Sequence, residues 1–83
     1  PNPFNPSTKI DFSLAVDSKI TLKVFNMLGE EVTTLINGNM ASGNHYVNFN
    51  ALNLNSGVYL YKLEAVGNDG SSFTNVKKMT LIK

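Results

Sequence analysis

Polar and apolar residues alternate strictly over 9–14, Lys-Ile-Asp-Phe-Ser-Leu, which places Ile10, Phe12 and Leu14 on one face of an extended segment and predicts a first strand. The same period recurs over 19–26, with Ile20, Leu22 and Val24 inward and Thr21, Lys23 and Phe25 opposite, before Met27-Leu28-Gly29-Glu30 supplies a turn. Residues 31–36 are rich in β-branched side chains and predict a third strand, ending at Asn37-Gly38, a pair suited to the left-handed backbone of tight turns. A polar and small stretch, 39–44, then leads to a fourth strand over 45–50 in which Val47 and Phe49 face the core.

The most strand-like stretch is 57–66, with Tyr59, Tyr61, Leu63 and Ala65 on one face and Val58 and Leu60 on the other. Its apolarity on both sides predicts a central strand. Asn68-Asp69-Gly70 supplies hairpin chemistry, and 72–82 runs back as a neighbouring strand carrying Phe73, Val76, Met79, Leu81 and Ile82. No window sustains helical spacing, so the chain reads as all-β. Six or seven short strands with frequent turns point to an immunoglobulin-like antiparallel β-sandwich, because a single sheet would leave one apolar face wet; a small barrel is the other option. Leu54-Asn55-Ser56-Gly57-Val58-Tyr59 resembles a tyrosine corner, in which a Tyr at a strand start bonds back to upstream backbone, and Tyr59 is its candidate; the plainer reading is a core aromatic.

Composition narrows the functional classes. Eighty-three residues make one domain at most, and without cysteine its core and backbone ladders must suffice in any redox compartment. Seven lysines, no arginine and six acidic residues leave a net charge of +1, too little for phosphate neutralisation, so nucleic-acid binding is not expected. No apolar run is long enough to span a bilayer, and the start lacks the zones of a signal peptide. A chain beginning at Pro1 reads as a piece of a longer protein.

Candidate chemistry is sparse. Nucleophilic catalysis needs a hydroxyl or thiol beside an oriented base, and His45, the single histidine, reads as a solvated residue on a strand edge. Glu30-Glu31 and Asn68-Asp69 are the nearest approach to a cation site, and adjacent carboxylates at turns are ordinarily solvated; no catalytic group, metal or cofactor is expected. Tryptophan is absent, which leaves Phe25, Tyr46 and Phe73 as the aromatic residues that could form a sugar-binding face. The last eight residues combine Lys77, Lys78 and Lys83 with a strand: the lysines either discourage edge-to-edge aggregation or mark a docking tag.

The chain opens Pro1-Asn2-Pro3-Phe4-Asn5-Pro6-Ser7-Thr8 and holds no proline after Pro6. Proline fixes its own φ and pushes the preceding residue towards extended backbone, so Asn2 and Asn5 should be extended and the leader stiff. Phe4 is its one apolar anchor, expected to be substantially buried with Pro1 to Pro3 exposed; an interdomain linker is the plainer reading.

Taken together, this leader, the Leu28-Gly29-Glu30-Glu31-Val32 turn, the Leu54 to Tyr59 start of the fifth strand and the Lys78-Met79-Thr80-Leu81-Ile82-Lys83 end resemble the type A C-terminal sorting domain of the bacterial type IX secretion system. The resemblance spans the whole chain, in order. It implies an immunoglobulin-like domain, related to that of the flagellar hook-capping protein, which ends a secreted cargo protein and directs it across the outer membrane. The implied partners are the type IX translocon, sortase-like shuttle proteins that in many relatives remove the domain and join the cargo to surface lipopolysaccharide, and an upstream cargo domain in the same chain. Lys77, Lys78, Met79, Leu81, Ile82 and Lys83 are then the candidates for export-signal recognition, while Phe4, Gly29, Gly57 and Tyr59 are structural. On this reading 1–8 is a proline-rich junction and 9–83 the sorting domain of a protein exported through the periplasm of a Gram-negative bacterium to its surface or medium. A structural or adhesive spacer with weak carbohydrate affinity is the alternative. Two departures, the long 68–72 hairpin and Ala15-Val16-Asp17 where a proline is often found, touch only loops.

Overall fold

Alternation at period two becomes six antiparallel strands in a computed structural model, which describes residues 7–82. They are β1 (Ser7–Leu14), β2 (Ser18–Asn26), β3 (Glu31–Met40), β4 (Gly43–Asn50), β5 (Gly57–Gly67) and β6 (Ser72–Leu81). The strands form two sheets, one of order β3-β2-β5-β6 and one pairing β1 with β4. The result is an immunoglobulin-like antiparallel β-sandwich, with β5 central and β6 beside it as the sequence pattern predicts. The expectations for Pro1 to Pro3, for Phe4, for the extended Asn2 and Asn5, and for Lys83 fall outside the described residues.

Inward-facing positions of β2 and β5 build the middle of the core. Ile20, Leu22 and Val24 are completely buried, and they stand opposite Ala65, Leu63 and Tyr61 in the β2–β5 ladder. Ile10 and Leu14 from β1, Phe49 from β4 and Ala51 just after it close over them from the second sheet. Burying one such aliphatic side chain stabilises by roughly 1.5–3 kcal/mol, so these few residues hold much of what a small chain without disulfides can gain.

β3 departs from the sequence expectation. Asn37-Gly38 is not a turn: Asn37 pairs with Thr21 and Gly38 with Ile20, and the strand continues to Met40, which faces Ser18. β2 extends to Ser18 and offers ladder partners for the whole of that stretch, and this pairing outweighs the local turn preference. The reversal instead lies at Ala41-Ser42, ahead of Gly43. Asn39 and Met40 therefore end β3, and Gly43 and Asn44 open β4. β3 also carries two register irregularities, opposite Leu22/Lys23 and Val24/Phe25, which let Val32, Leu35 and Ile36 all reach the core margin despite their uneven spacing. β1 starts at Ser7, two residues ahead of the predicted strand.

The ends of the sandwich are tied by short polar bonds. Asn26 closes the β2–β3 hairpin: its side-chain oxygen accepts from the backbone N–H of Leu28 (2.9 Å) and Glu30 (3.0 Å), and its amide donates to the Glu30 carboxylate (2.8 Å). Gly29 completes that turn with a φ of 85°, which a residue with a Cβ adopts at a cost of about 1–2 kcal/mol. At the opposite end the Asp17 carboxylate accepts from the Ser42 N–H (2.8 Å) and the Asp17 carbonyl from the Asn68 N–H (2.9 Å), joining three connections. Gly67 sits where a Cβ would lie 2.6 Å from Val16 Cγ2 and 2.7 Å from both Asp69 Oδ1 and Ser71 Oγ, so any larger residue there would force these side chains to shift.

Truncating the centre tests this account of the core. Leu22→Ala should cost roughly 2–5 kcal/mol in urea unfolding, whereas the exposed Leu28→Ala should stay within about 0.5 kcal/mol.

Candidate functional site

β6 forms the outer edge of the four-stranded sheet and pairs with β5 residue for residue, from Val66↔Ser72 to Gly57↔Leu81, without a register shift. Its side chains are exposed from Ser72 to Lys78, and only Met79 and Leu81 are half-buried. The register explains this. Phe73, Asn75, Lys77, Met79 and Leu81 oppose the inward-facing Ala65, Leu63, Tyr61, Tyr59 and Gly57, yet the second sheet has only two strands and does not reach over the middle of β6. Val76 and Lys78 oppose Lys62 and Leu60 on the outer face.

Lys77 and Lys78 thus project to opposite faces of one edge strand. Neither has an ion pair among the described residues, where Lys9 pairs with Asp11 (3.8 Å), Lys23 with Glu31 (3.2 Å) and Lys62 with Glu64 (3.7 Å). β6 contains no acidic residue, and Lys62 is a diagonal neighbour of Lys78 on the outer face. Of the export-signal candidates, Met79 and Leu81 line a groove of about 340 Å³ with Ser7, Thr8, Phe49, Ala51 and Tyr59, and Ile82, 77% exposed, lies at its rim. The start of β1 and the end of β6 meet in this groove. The same end of the sandwich carries the β2–β3 hairpin tip, where Met27 and Leu28 are exposed, together with the exposed Leu52.

Tyr59 lies at the base of the groove, buried, and its hydroxyl donates to the Asn55 carbonyl at 2.7 Å. The bond runs four residues upstream and pins the 51–56 connection to the start of β5. Gly57, two residues earlier, opens the strand with a φ of 157°, on the border of the extended region.

The remaining candidates do not converge. His45 sits on the edge strand β4 but is not solvated: it is half-buried on the inner side, stacked on Phe12 at 5.5 Å, with Nε2 2.6 Å from the Ala41 carbonyl oxygen. Asp17 and Ser42 lie close in the fold, but the Asp17 carboxylate is taken by the Ser42 backbone N–H, and no hydroxyl bonds to His45 among the described residues. Phe25, Tyr46 and Phe73 occupy three different surfaces. Phe25 is on the outer face of the large sheet under the Lys62 ammonium (5.5 Å), Tyr46 is on the outer face of the small sheet under Lys9 (4.6 Å), and Phe73 is at the start of β6.

The carboxylates are engaged by the protein itself. The Glu31 carboxyl is held below its ordinary range first by the Thr34 hydroxyl (2.9 Å) and then by the Lys23 ammonium. Asp69 is lowered by the Ser71 hydroxyl (2.6 Å) and then by the Ser71 backbone N–H (3.0 Å). Among the described residues no three His, Asp or Glu side chains gather as metal ligands, and no helix is long and apolar enough to cross a membrane.

The geometry defines a small β-sandwich module whose distinctive surface is an unpaired basic edge strand beside an apolar end, rather than a catalytic cleft. A family model described as Secretion system C-terminal sorting domain matches residues 1–80, and the chain belongs to that family. It is a C-terminal sorting signal of type IX secretion, so its cargo is secreted or displayed at the cell surface, and the secretion machinery is what it engages. No curated protein and no solved structure matches the chain significantly.

Sequence reasoning anticipated the backbone bond of Tyr59 and the strand that carries Lys77 to Leu81, but it missed Asn26, Asp17 and Gly67. Asn26 had a signal, an Asn four residues before a Glu across a Gly turn; the roles of Asp17 and Gly67 depend on neighbours far along the chain.

Two outcomes follow from these hydrogen bonds. Tyr59→Phe should lower stability by about 0.5–1.5 kcal/mol, while Tyr61→Phe, whose hydroxyl has no partner among the described residues, should change it by less than about 0.5 kcal/mol. Depressed carboxyls mean that the folded chain binds fewer protons than the unfolded one in and just below the ordinary carboxylate range. Their stabilisation is therefore present above that range and is lost as pH falls through the lowered folded-state values. In acid titrations followed by circular dichroism, the double variant Glu31→Gln/Asp69→Asn should lose stability less steeply than the parent, by a small margin because both groups are exposed.

Proposed function

We propose that the translocon of the type IX system reads this domain through its terminal edge, with Lys77, Lys78, Met79, Leu81, Ile82 and Lys83 as the recognised set. The observation that carries the reading is the exposure and lack of ion pairing of Lys77 and Lys78 on a regular outer strand. Met79, Leu81 and Ile82 add an apolar end to that basic strand, at the groove where β1 begins.

In this reading the cargo precedes Pro1 in the same chain and the proline-rich leader is the junction, with Ser7 and Thr8 already paired in β1 of the sandwich that forms the signal. Phe4 anchors the junction; Gly29, Gly57 and Tyr59 keep the turns and the strand start in shape. The route runs through the periplasm and outer membrane of a Gram-negative bacterium, with sortase-like shuttle proteins acting after the translocon. The domain contributes recognition and leaves chemistry to those proteins.

The test is a periplasmic reporter carrying this chain at its C-terminus, expressed in a type IX-competent bacterium. The parent fusion should reach the medium or cell surface. Removing 78–83 should retain the reporter in the periplasm, but this also takes Met79 and Leu81 from the groove. The triple variant Lys77→Ala/Lys78→Ala/Lys83→Ala is therefore the sharper probe, since Lys77 and Lys78 are exposed and unpaired. Export should fall severalfold while the melting temperature of the isolated domain stays put; undiminished export of the triple variant overturns the role of the lysines.

A further inference from the structure

We propose that β6 is a strand-addition site: an extended acidic segment of the secretion machinery pairs with its free edge, backbone to backbone, and places carboxylates against Lys77 and Lys78. The proposal rests on the reading that the terminal strand is the recognised element, and it specifies how recognition occurs and the chemistry of the partner.

Strand addition needs a long, regular, accessible edge with unpaired N–H and C=O groups. β6 supplies ten residues in unbroken register with β5, with no proline and no bulge. β3, the other edge of the same sheet, is interrupted by two register shifts that disturb its ladder, and its Glu31 is bound to Lys23 and Thr34. β1 and β4 are shorter; the Lys9 charge on β1 is neutralised by Asp11, and β4 carries no Lys, Asp or Glu. Of the four edges, β6 alone combines regularity with uncompensated charge.

That charge selects the occupant. A strand laid beside β6 sends alternate side chains to the two faces, so neighbouring residues at one step of it meet Lys77 on the inner face and Lys78 on the outer. The complementary sequence is an acidic doublet in an extended run, with small or apolar residues beside it to cover Val76 and Met79. A second copy of this chain fits poorly, because its own Glu30-Glu31 doublet begins the bulged β3 and is already bonded to Asn26, Lys23 and Thr34.

The probes are two ten-residue peptides: Thr-Val-Thr-Val-Asp-Glu-Val-Thr-Val-Thr and the same sequence with Lys-Lys at the centre. Amide hydrogen exchange of the 83-residue chain, followed by NMR with each peptide, reads the pairing directly. The acidic peptide should slow exchange at alternate β6 amides, those turned away from β5, and the basic one should not. Lys77→Gln/Lys78→Gln should weaken the acidic peptide roughly two- to thirtyfold, the range for two exposed charge pairs. Absence of protection at β6, equal protection by both peptides, or protection at β1, β3 or β4 overturns the proposal. So does protection that grows with protein concentration without peptide, which would make a second copy the occupant. These outcomes are separable from those of the reporter assay: lost export without β6 protection sinks strand addition alone, while β6 protection with export intact in the lysine variant sinks the recognition reading.

Discussion

The antiparallel pairing of β2 with β5 is the constraint on which the rest of the molecule depends. They are the two strands with ladder partners on both sides, and the three completely buried side chains, Ile20, Leu22 and Val24, all belong to β2. Opposite them, Leu63 and Ala65 are buried almost as fully. A chain this short, with no cross-links, must concentrate its burial somewhere, and a central pair covered by β1 and β4 is the arrangement that removes the most apolar surface per residue. β3 and β6 then attach as outer strands, contributing half-buried side chains such as Leu35 and Met79 to the margin of a core they do not create.

A consequence is an uneven distribution of stability and freedom. Four strands face two, so part of the large sheet's inner side stays wet, and that part is the middle of β6, at Asn75 and Lys77. Edge strands with few buried contacts open at lower free energy than central ones. Surface that makes little contribution to folding is surface that can be committed to a partner. The groove ends near Ala51, Tyr59 and Leu81 show the other side of the same balance: there the second sheet does reach across, and Tyr59 locks the crossing connection through its bond to Asn55.

What was legible in the sequence follows from which interactions are local. Alternation marked β1, β2 and β5 because each presents one face to a core and keeps a regular register there; Ile20, Leu22 and Val24 could be read directly from spacing. β3 was cut short because Asn37-Gly38 carries a real turn preference, and only β2's extension to Ser18 overrides it. Its two bulges also scramble the period, so Val32, Leu35 and Ile36 give no clean face. His45 read as solvated because nothing in its own neighbourhood reveals Phe12, which lies in another strand. The tie that Asp17 makes to Ser42 and the crowding around Gly67 were invisible for the same reason: their partners are set by topology. The lysines of β6 were legible as a feature but not as an arrangement, since their projection to opposite faces of an uncovered edge depends on the register with β5.

That register bears on how a signal with no catalytic chemistry can be specific. Backbone hydrogen bonds along an edge strand are nearly indifferent to side chains, so strand addition alone gives affinity with weak selectivity and permits slippage by one or two residues. Under the strand-addition proposal, Lys77 and Lys78 remove that freedom. A slip of one residue turns every side chain of the incoming strand to the other face, and a slip of two moves an acidic doublet past the lysine step to Val76-Asn75 or Met79-Thr80, where no charge answers it. Adjacent lysines on an otherwise uncharged edge would therefore act as a register mark. They also repel a like edge, which guards the same surface against self-pairing before the partner arrives. A protective device and a recognition device can thus be the same two residues, because both tasks require charge that the fold itself leaves unanswered.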